Sequence, residues 1–234
     1  MRTLKTLLAL VAVYLLILAL PYPLFAYHAS YGNITIYSDQ PIPPQVTPIL
    51  EDVESRLAKS PLNDPALQHR IFLCSTAARF SFFANYNYRV GGVNYALLNR
   101  NIFLRPANIA DNRLIGYSGR EVPGERTLAY FLAHEIGHSL EVNYLGRIGY
   151  ATFPTWKREG YADVVGKAGD FDFDKQLAAF RCNAPELDPR RSGLYLRYHL
   201  MCAYLLDRRH LTPQALLEQA LDGAAIERAI SELQ

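Results

Sequence analysis

The chain has 234 residues, half of them hydrophobic and a fifth charged, with a formal net charge of +2. That length and apolar content are enough for a folded domain with a sizeable core, and they exclude an intrinsically disordered chain. No basic run is interleaved with aromatics, so nucleic acid is not expected as a partner.

Residues 7–38 contain no Asp, Glu, Lys or Arg, and residues 7–20 are almost wholly aliphatic, with Arg2 and Lys5 ahead of them. About twenty apolar residues cross a bilayer. Positive charge before such a segment and none just after it predicts a cytoplasmic N-terminus with the rest outside. Residues 1–26 are therefore expected to be a transmembrane anchor that attaches the protein to the membrane. Residues 27–234 are expected to form one extracytoplasmic domain. A cleaved signal peptide needs small residues at −1 and −3 of the cut, but Ala26 has Leu24 at −3 and Ala29 has Tyr27. The uncleaved anchor is the preferred reading.

Beyond this segment, residues 33–37 alternate as a short strand. Thr47-Pro48 reads as the cap and first residue of a helix that turns Ile49, Leu50, Val53 and Leu57 inward. Residues 70–75 read as a second strand. Residues 80–105 are aromatic and β-branched around Gly91-Gly92, which predicts further strands joined by a turn, the last being Asn101-Ile102-Phe103-Leu104. Pro123-Gly124 marks a helix start with Glu125 in the first turn, where a carboxylate suits the helix dipole. Leu128, Phe131, Leu132, Ala133, Ile136 and Leu140 make that helix apolar on most sides, hence largely buried. A break at Pro154 precedes a helix over 156–165, and helices follow at about 175–181, 193–207, 213–222 and 224–233. Thr212-Pro213 caps one of these and Gly223 is expected to end it. Strands early and helices late predict an α+β fold. Cys74, Cys182 and Cys202 are odd in number and lack zinc-ribbon spacing. Cys182 and Cys202 are the nearest candidates for a bridge, but buried free thiols are expected.

The chemistry is concentrated in two segments. His134-Glu135-Ile136-Gly137-His138 is the H-E-x-x-H pattern, two imidazoles four apart on a helix with a carboxylate between them. Positions four apart share one helix face, so both rings can meet one metal ion, while Glu135 reaches the attacking water without being a ligand. The pattern fixes only three positions and arises by chance, so a third ligand decides the matter. The metzincin arrangement needs Gly at 141 and His at 144, where this chain has Glu141 and Tyr144. Glu159, on the next helix, is the better candidate. Asp163, one turn further, is placed to accept the outward N–H of a ligand histidine. Three protein ligands with one open position describe a catalytic zinc site.

H-E-x-x-H followed by Pro154-Thr155-Trp156-Lys157-Arg158-Glu159-Gly160-Tyr161-Ala162-Asp163 resembles the gluzincins, the thermolysin-like and aminopeptidase-like zinc peptidases. The likeness is greatest to small bacterial peptidase-MA-like domains, and its specific part spans residues 128 to 165. It implies a zincin-like fold: a mixed β-sheet lobe with helices, then the active-site helix and a helical C-terminal part. It implies one zinc ion on His134, His138 and Glu159, with Glu135 as general base and Asp163 as outer partner of His134. It implies a peptide or protein substrate, its backbone paired with an edge strand at residues 101–104. Tyr195 is similar in placement to a tyrosine downstream of the ligands in the resembled proteins. A phenol or imidazole donor there, Tyr195 or His199, would stabilise the oxyanion of peptide hydrolysis. With Tyr198 and His199, Tyr195 forms a stripe at three and four spacing, a pattern that core packing also produces. The expected function is a membrane-anchored, extracytoplasmic zinc peptidase. A noncatalytic zincin-like binding module at the membrane surface and a structural membrane protein with an accidental motif are the alternatives.

Overall fold

The computed structural model of the chain describes residues 2–87, 89–187 and 194–233. Two compact units are present, Met1–Asp52 with Pro65–Phe131 and Val53–Asp64 with Leu132–Gln234.

The first unit opens with α1 (Arg2–Ala19), a 3-10 turn at Tyr22–Leu24, and the strands β1 (Tyr27–Tyr31) and β2 (Ile34–Ser38). Gly32 takes a φ of 55° in the two-residue turn between these strands, a conformation that suits glycine. Then come α2 (Val46–Ala58), whose residues from Val53 belong to the second unit, and β3 (His69–Leu73), α3 (Ala77–Phe83), β4 (Gly92–Asn94) and β5 (Asn101–Leu104). The sheet order is β1-β2-β3-β5-β4, with β2, β3 and β5 parallel and the two outer strands antiparallel. A small pair, β6 (Ala107–Asn108) and β7 (Arg113–Leu114), follows.

Side chains alternate across a strand, so the register places rows on opposite faces. Tyr37, Phe72, Phe103 and Val93 are aligned on one row, and Ile36, Ile71 and Ile102 on the other. The aromatic row stacks, Tyr37 on Phe72 at 5.0 Å and Phe72 on Phe103 at 5.2 Å between centroids. Phe83 of α3 stacks on Phe103 at 4.4 Å. Leu18, Phe25 and Phe80 complete this cluster, and Tyr14 and Ile17 pack against it.

That packing corrects the expected transmembrane anchor. Among the described residues no helix is long and apolar enough to cross a membrane. The helix α1 has 18 residues, about 27 Å at 1.5 Å per residue. Its first turns contain Arg2 and Lys5, so the apolar part falls well short of a hydrocarbon core of about 30 Å. Pro21, which lacks an N–H, follows its end. The last two turns are tied into the unit: Tyr14 donates to the Phe82 carbonyl at 2.7 Å, and the Asn101 side-chain amide donates to the Leu18 carbonyl at 2.9 Å. Leu4, Leu7, Leu8 and Leu10, nearer its start, are exposed. The single-pass topology, with its cytoplasmic N-terminus and extracytoplasmic domain, and the attachment through a spanning helix are accordingly withdrawn.

The second unit is built on helices. The helix α4 (Leu128–Ala151) contributes the residues from Leu132 and is broken at Gly146, which has a φ of 69° and a ψ of 167°. It is followed by α5 (Thr155–Lys167), α6 (Phe173–Arg181), a 3-10 turn at Pro185–Leu187, α7 (Leu194–Ala203) with a π-helical turn at Tyr204–Arg208, α8 (Pro213–Glu218) and α9 (Gly223–Ser231). Asp172, Thr212 and Asp222 cap α6, α8 and α9 by accepting from backbone N–H groups in the first turn. Arg197 of α7 makes a two-pronged pair with Glu227 of α9, both contacts at 2.7 Å.

The α+β class and the mixed sheet agree with the sequence reading; several details do not. Part of the region expected as strand, from residue 80, is the end of α3. Thr76 caps that helix by accepting from the Arg79 N–H, and the aromatic run hid this signal. The strand β5 is flanked by β3 and β4 and fully buried, so the expected edge strand at residues 101–104 is internal, and β4 is the edge on that side of the sheet. The helix α4 starts at Leu128, after Glu125, with Thr127 accepting from the Tyr130 N–H. Gly223 opens α9 rather than ending α8. All three cysteines are free. Gly193, expected to begin the helix that carries Tyr195, lies outside the described residues.

Candidate metal centre

Three helices of the second unit supply the site. Leu132, Ala133, Ile136 and Leu140 are fully buried, so α4 is surrounded by apolar packing and its polar side chains are held in a dry setting. His134, Glu135 and His138 lie in that stretch, all buried. From α5 comes Glu159, whose side chain keeps 16% exposure, and buried Asp163. The close approach of α4 and α5 depends on Gly137: a Cβ there would lie 3.0 Å from the Ala162 Cα. Gly160 serves a different contact, because a Cβ on it would lie 2.6 Å from both the Tyr198 carbonyl oxygen and Cys202 Sγ of α7.

One nitrogen each of His134 and His138 and one oxygen of Glu159 lie within 4.8 Å of one another. The Nε2 atoms of both histidines are 3.7 Å from Glu159 Oε2. Zinc bonds of about 2.0–2.1 Å in a tetrahedron put neighbouring ligand atoms about 3.3 Å apart, so this donor set could hold one zinc ion once its atoms draw in from their present spread of up to 4.8 Å. Two imidazoles and one carboxylate also match the ligand chemistry of a catalytic zinc site with an open position. Glu159 Oε1 faces Arg158 Nε at 3.4 Å, which orients the carboxylate from its other side.

The outward nitrogens face carboxylates. His138 Nδ1 is 3.2 Å from Glu141 Oε2, and His134 Nδ1 is 4.0 Å from Asp163 Oδ1. The other Asp163 oxygen pairs with His199 Nδ1 at 2.8 Å, and Phe171 stacks on the His199 ring at 3.7 Å between centroids. Tyr195, half-buried on α7, meets the His134 ring edge-on at 5.2 Å.

Burial and neighbouring charge set the titration of the site. Burial pushes Glu135 up to about 7, partly countered by His134 and reinforced by Glu159. Burial works against ionised Glu159, but His138, His134 and Arg158 prevail and hold it at about 2. Asp163 likewise reaches about 2, its burial outweighed by His199 and His134. Burial lowers His138 to about 4 against the attraction of Glu159, keeping that imidazole neutral, the form that binds metal. Burial also lowers His199, with Asp163 opposing it. For His134, burial favours the neutral ring, but Glu159, Glu135 and Asp163 together raise it.

The structure thus brings together His134, Glu135, His138, Glu159, Asp163 and Tyr195. Sequence reasoning used Glu141 only to reject the metzincin arrangement and set His199 beside Tyr195 as a donor. The signal for Glu141 was its position one turn from His138. No family model matches the chain, and no curated protein is significantly similar to it.

Proposed function

We propose that this chain is a zinc-dependent peptidase that hydrolyses peptide bonds in a peptide or protein substrate. The observation that carries the proposal is the convergence of His134, His138 and Glu159 within 4.8 Å, with Glu135 outside that set on the same helix. His134, His138 and Glu159 would hold the ion. Zinc, when bound, supplies Lewis acidity toward a carbonyl and lowers the pKa of water. Glu135 takes the proton of the attacking water on its carboxylate and delivers it to the departing amine nitrogen. In the metal-free site burial raises Glu135 above the ordinary carboxylate range, the direction that suits a group which must both take and return a proton. Tyr195, beside His134, is the candidate donor to the oxyanion that forms when water adds to the carbonyl.

A mixed peptide library digested by purified protein and read by mass spectrometry tests this reading. The wild type is expected to carry one zinc per chain and to cleave, and a chelator to stop it. Glu135→Gln keeps the shape of the side chain but cannot take a proton. It should retain zinc and lose about 10²–10⁴-fold in turnover. Zinc at full occupancy with no cleavage would indicate a noncatalytic binding module; no zinc would overturn the proposal.

A further inference from the structure

Glu141 is the least accessible carboxylate of the metal centre, with no exposed surface. It lies three residues after His138 on α4, the spacing at which helix side chains meet. Its Oε2 is 3.2 Å from His138 Nδ1, and its Oε1 has no hydrogen-bond partner among the described residues. A fully buried carboxylate with an unsatisfied oxygen weakens a fold, since no water repays the lost hydration. Its retention one turn from a ligand histidine therefore needs a reason other than packing.

The chemistry of the contact supplies one. A neutral imidazole carries one N–H and one lone pair. When Nδ1–H is donated to Glu141, the lone pair is left on Nε2, the atom that faces Glu159 at 3.7 Å. The hydrogen bond also fixes the ring about its Cβ–Cγ bond and makes Nε2 a better donor. His134 has a different support, Asp163 on α5, itself held by His199 on α7. The two ligand rings are thus backed independently, one from its own helix and one from two neighbouring helices.

We infer that Glu141 is a positioning residue of the metal centre, which fixes the tautomer and orientation of His138 through Nδ1 and thereby sets metal affinity. The inference rests on the metal-centre reading above. Glu141 touches neither substrate nor reacting atoms and acts only through His138.

The test uses the full chain, with zinc alone as the probe. Zinc affinity by chelator competition, the Tm of the metal-free protein, and the visible absorption of the cobalt(II)-loaded form are compared between wild type and Glu141→Gln. Glutamine preserves size and one acceptor but removes the ionisable carboxyl that faces His138 Nδ1. Zinc affinity is expected to fall about ten- to a hundredfold. The cobalt absorption should change, because the field of one ligand ring changes, while the metal-free Tm stays level or rises. A merely structural Glu141 would give the opposite pattern: a lower metal-free Tm with unaltered affinity and spectrum. Either that pattern or an affinity within twofold of wild type overturns the inference and leaves the metal centre standing. A wild type that takes up no zinc overturns both.

Discussion

His134 and His138 turn the same ring atom, Nε2, toward Glu159 and the other, Nδ1, toward a carboxylate. This polarity of each ring is what suits two buried histidines to the proposed role of metal ligands. Tyr195 is the residue whose role is least constrained by that frame, because an edge-on contact with His134 at 5.2 Å serves packing as well as chemistry. The substitution Tyr195→Phe separates the two, since it keeps the ring and deletes only the hydroxyl. If the phenol donates to the oxyanion, turnover on a cleaved peptide should fall about a hundred- to a thousandfold, with zinc content and Tm unchanged. Unchanged turnover would assign the ring to packing. At this scale the H-E-x-x-H pattern and Glu159 were legible because a four-residue spacing sets a shared helix face and the break at Pro154 marks a following helix. The pairing of Asp163 with His199 was not, since 36 residues separate them and only the packing of α5 on α7 brings them to 2.8 Å.

The packing of α5 on α7 places His199 against Asp163, and Gly160 makes the approach possible. Gly160 and Ala162 are small residues two apart on α5, each able to admit a close helix contact. Periodicity gives the faces of a helix but not which neighbour each face meets. The structure divides the task, with Gly137 and Ala162 at the α4 contact and Gly160 at the α7 contact. Two effects compete in Gly160→Ala. Helix propensity favours alanine by about 1 kcal/mol. Against this, the new methyl would meet the Tyr198 carbonyl oxygen and Cys202 Sγ at 2.6 Å, and a backbone atom cannot swing aside as a side-chain tip can. Overpacking of this kind typically costs about 1–3 kcal/mol, so the steric effect should win. The metal-free variant is expected to unfold at lower urea concentration than wild type, with weaker zinc binding because α5 carries Glu159 and Asp163. A midpoint equal to or above wild type would mean that α7 moves away freely, and the close contact would carry no structural weight. The same limit of local patterns explains α1, whose aliphatic run reads as an anchor until Leu18 is seen in the aromatic core of the first unit.

Across the whole molecule, the apolar sheet core and the candidate metal centre fall in different units. The strands β2, β3 and β5 share their hydrogen bonds within the first unit, while Glu135, Glu141, Glu159 and Asp163 all lie in the second. Four carboxyl groups share a largely buried site, where burial favours the neutral forms of Glu135 and Glu141. A dication at the centre would favour their ionised forms, and the low dielectric makes that attraction large. A metal that binds only the folded site stabilises it by mass action, by about 4 kcal/mol at a thousand times its Kd. Zinc removal should therefore loosen the helices that hold ligands more than the sheet. Hydrogen exchange before and after chelation reads this directly. Amides of residues 134–141 in α4, and of α5 and α7, are expected to lose protection when zinc is removed. Those of β2, β3 and β5 should keep theirs, because among the described residues none of the proposed ligands or the side chains that back them belongs to the sheet. Equal loss in sheet and helices would show that the ion stabilises the chain as one cooperative body. Loss confined to the helices would show a metal centre whose stability is coupled chiefly to the unit that bears it.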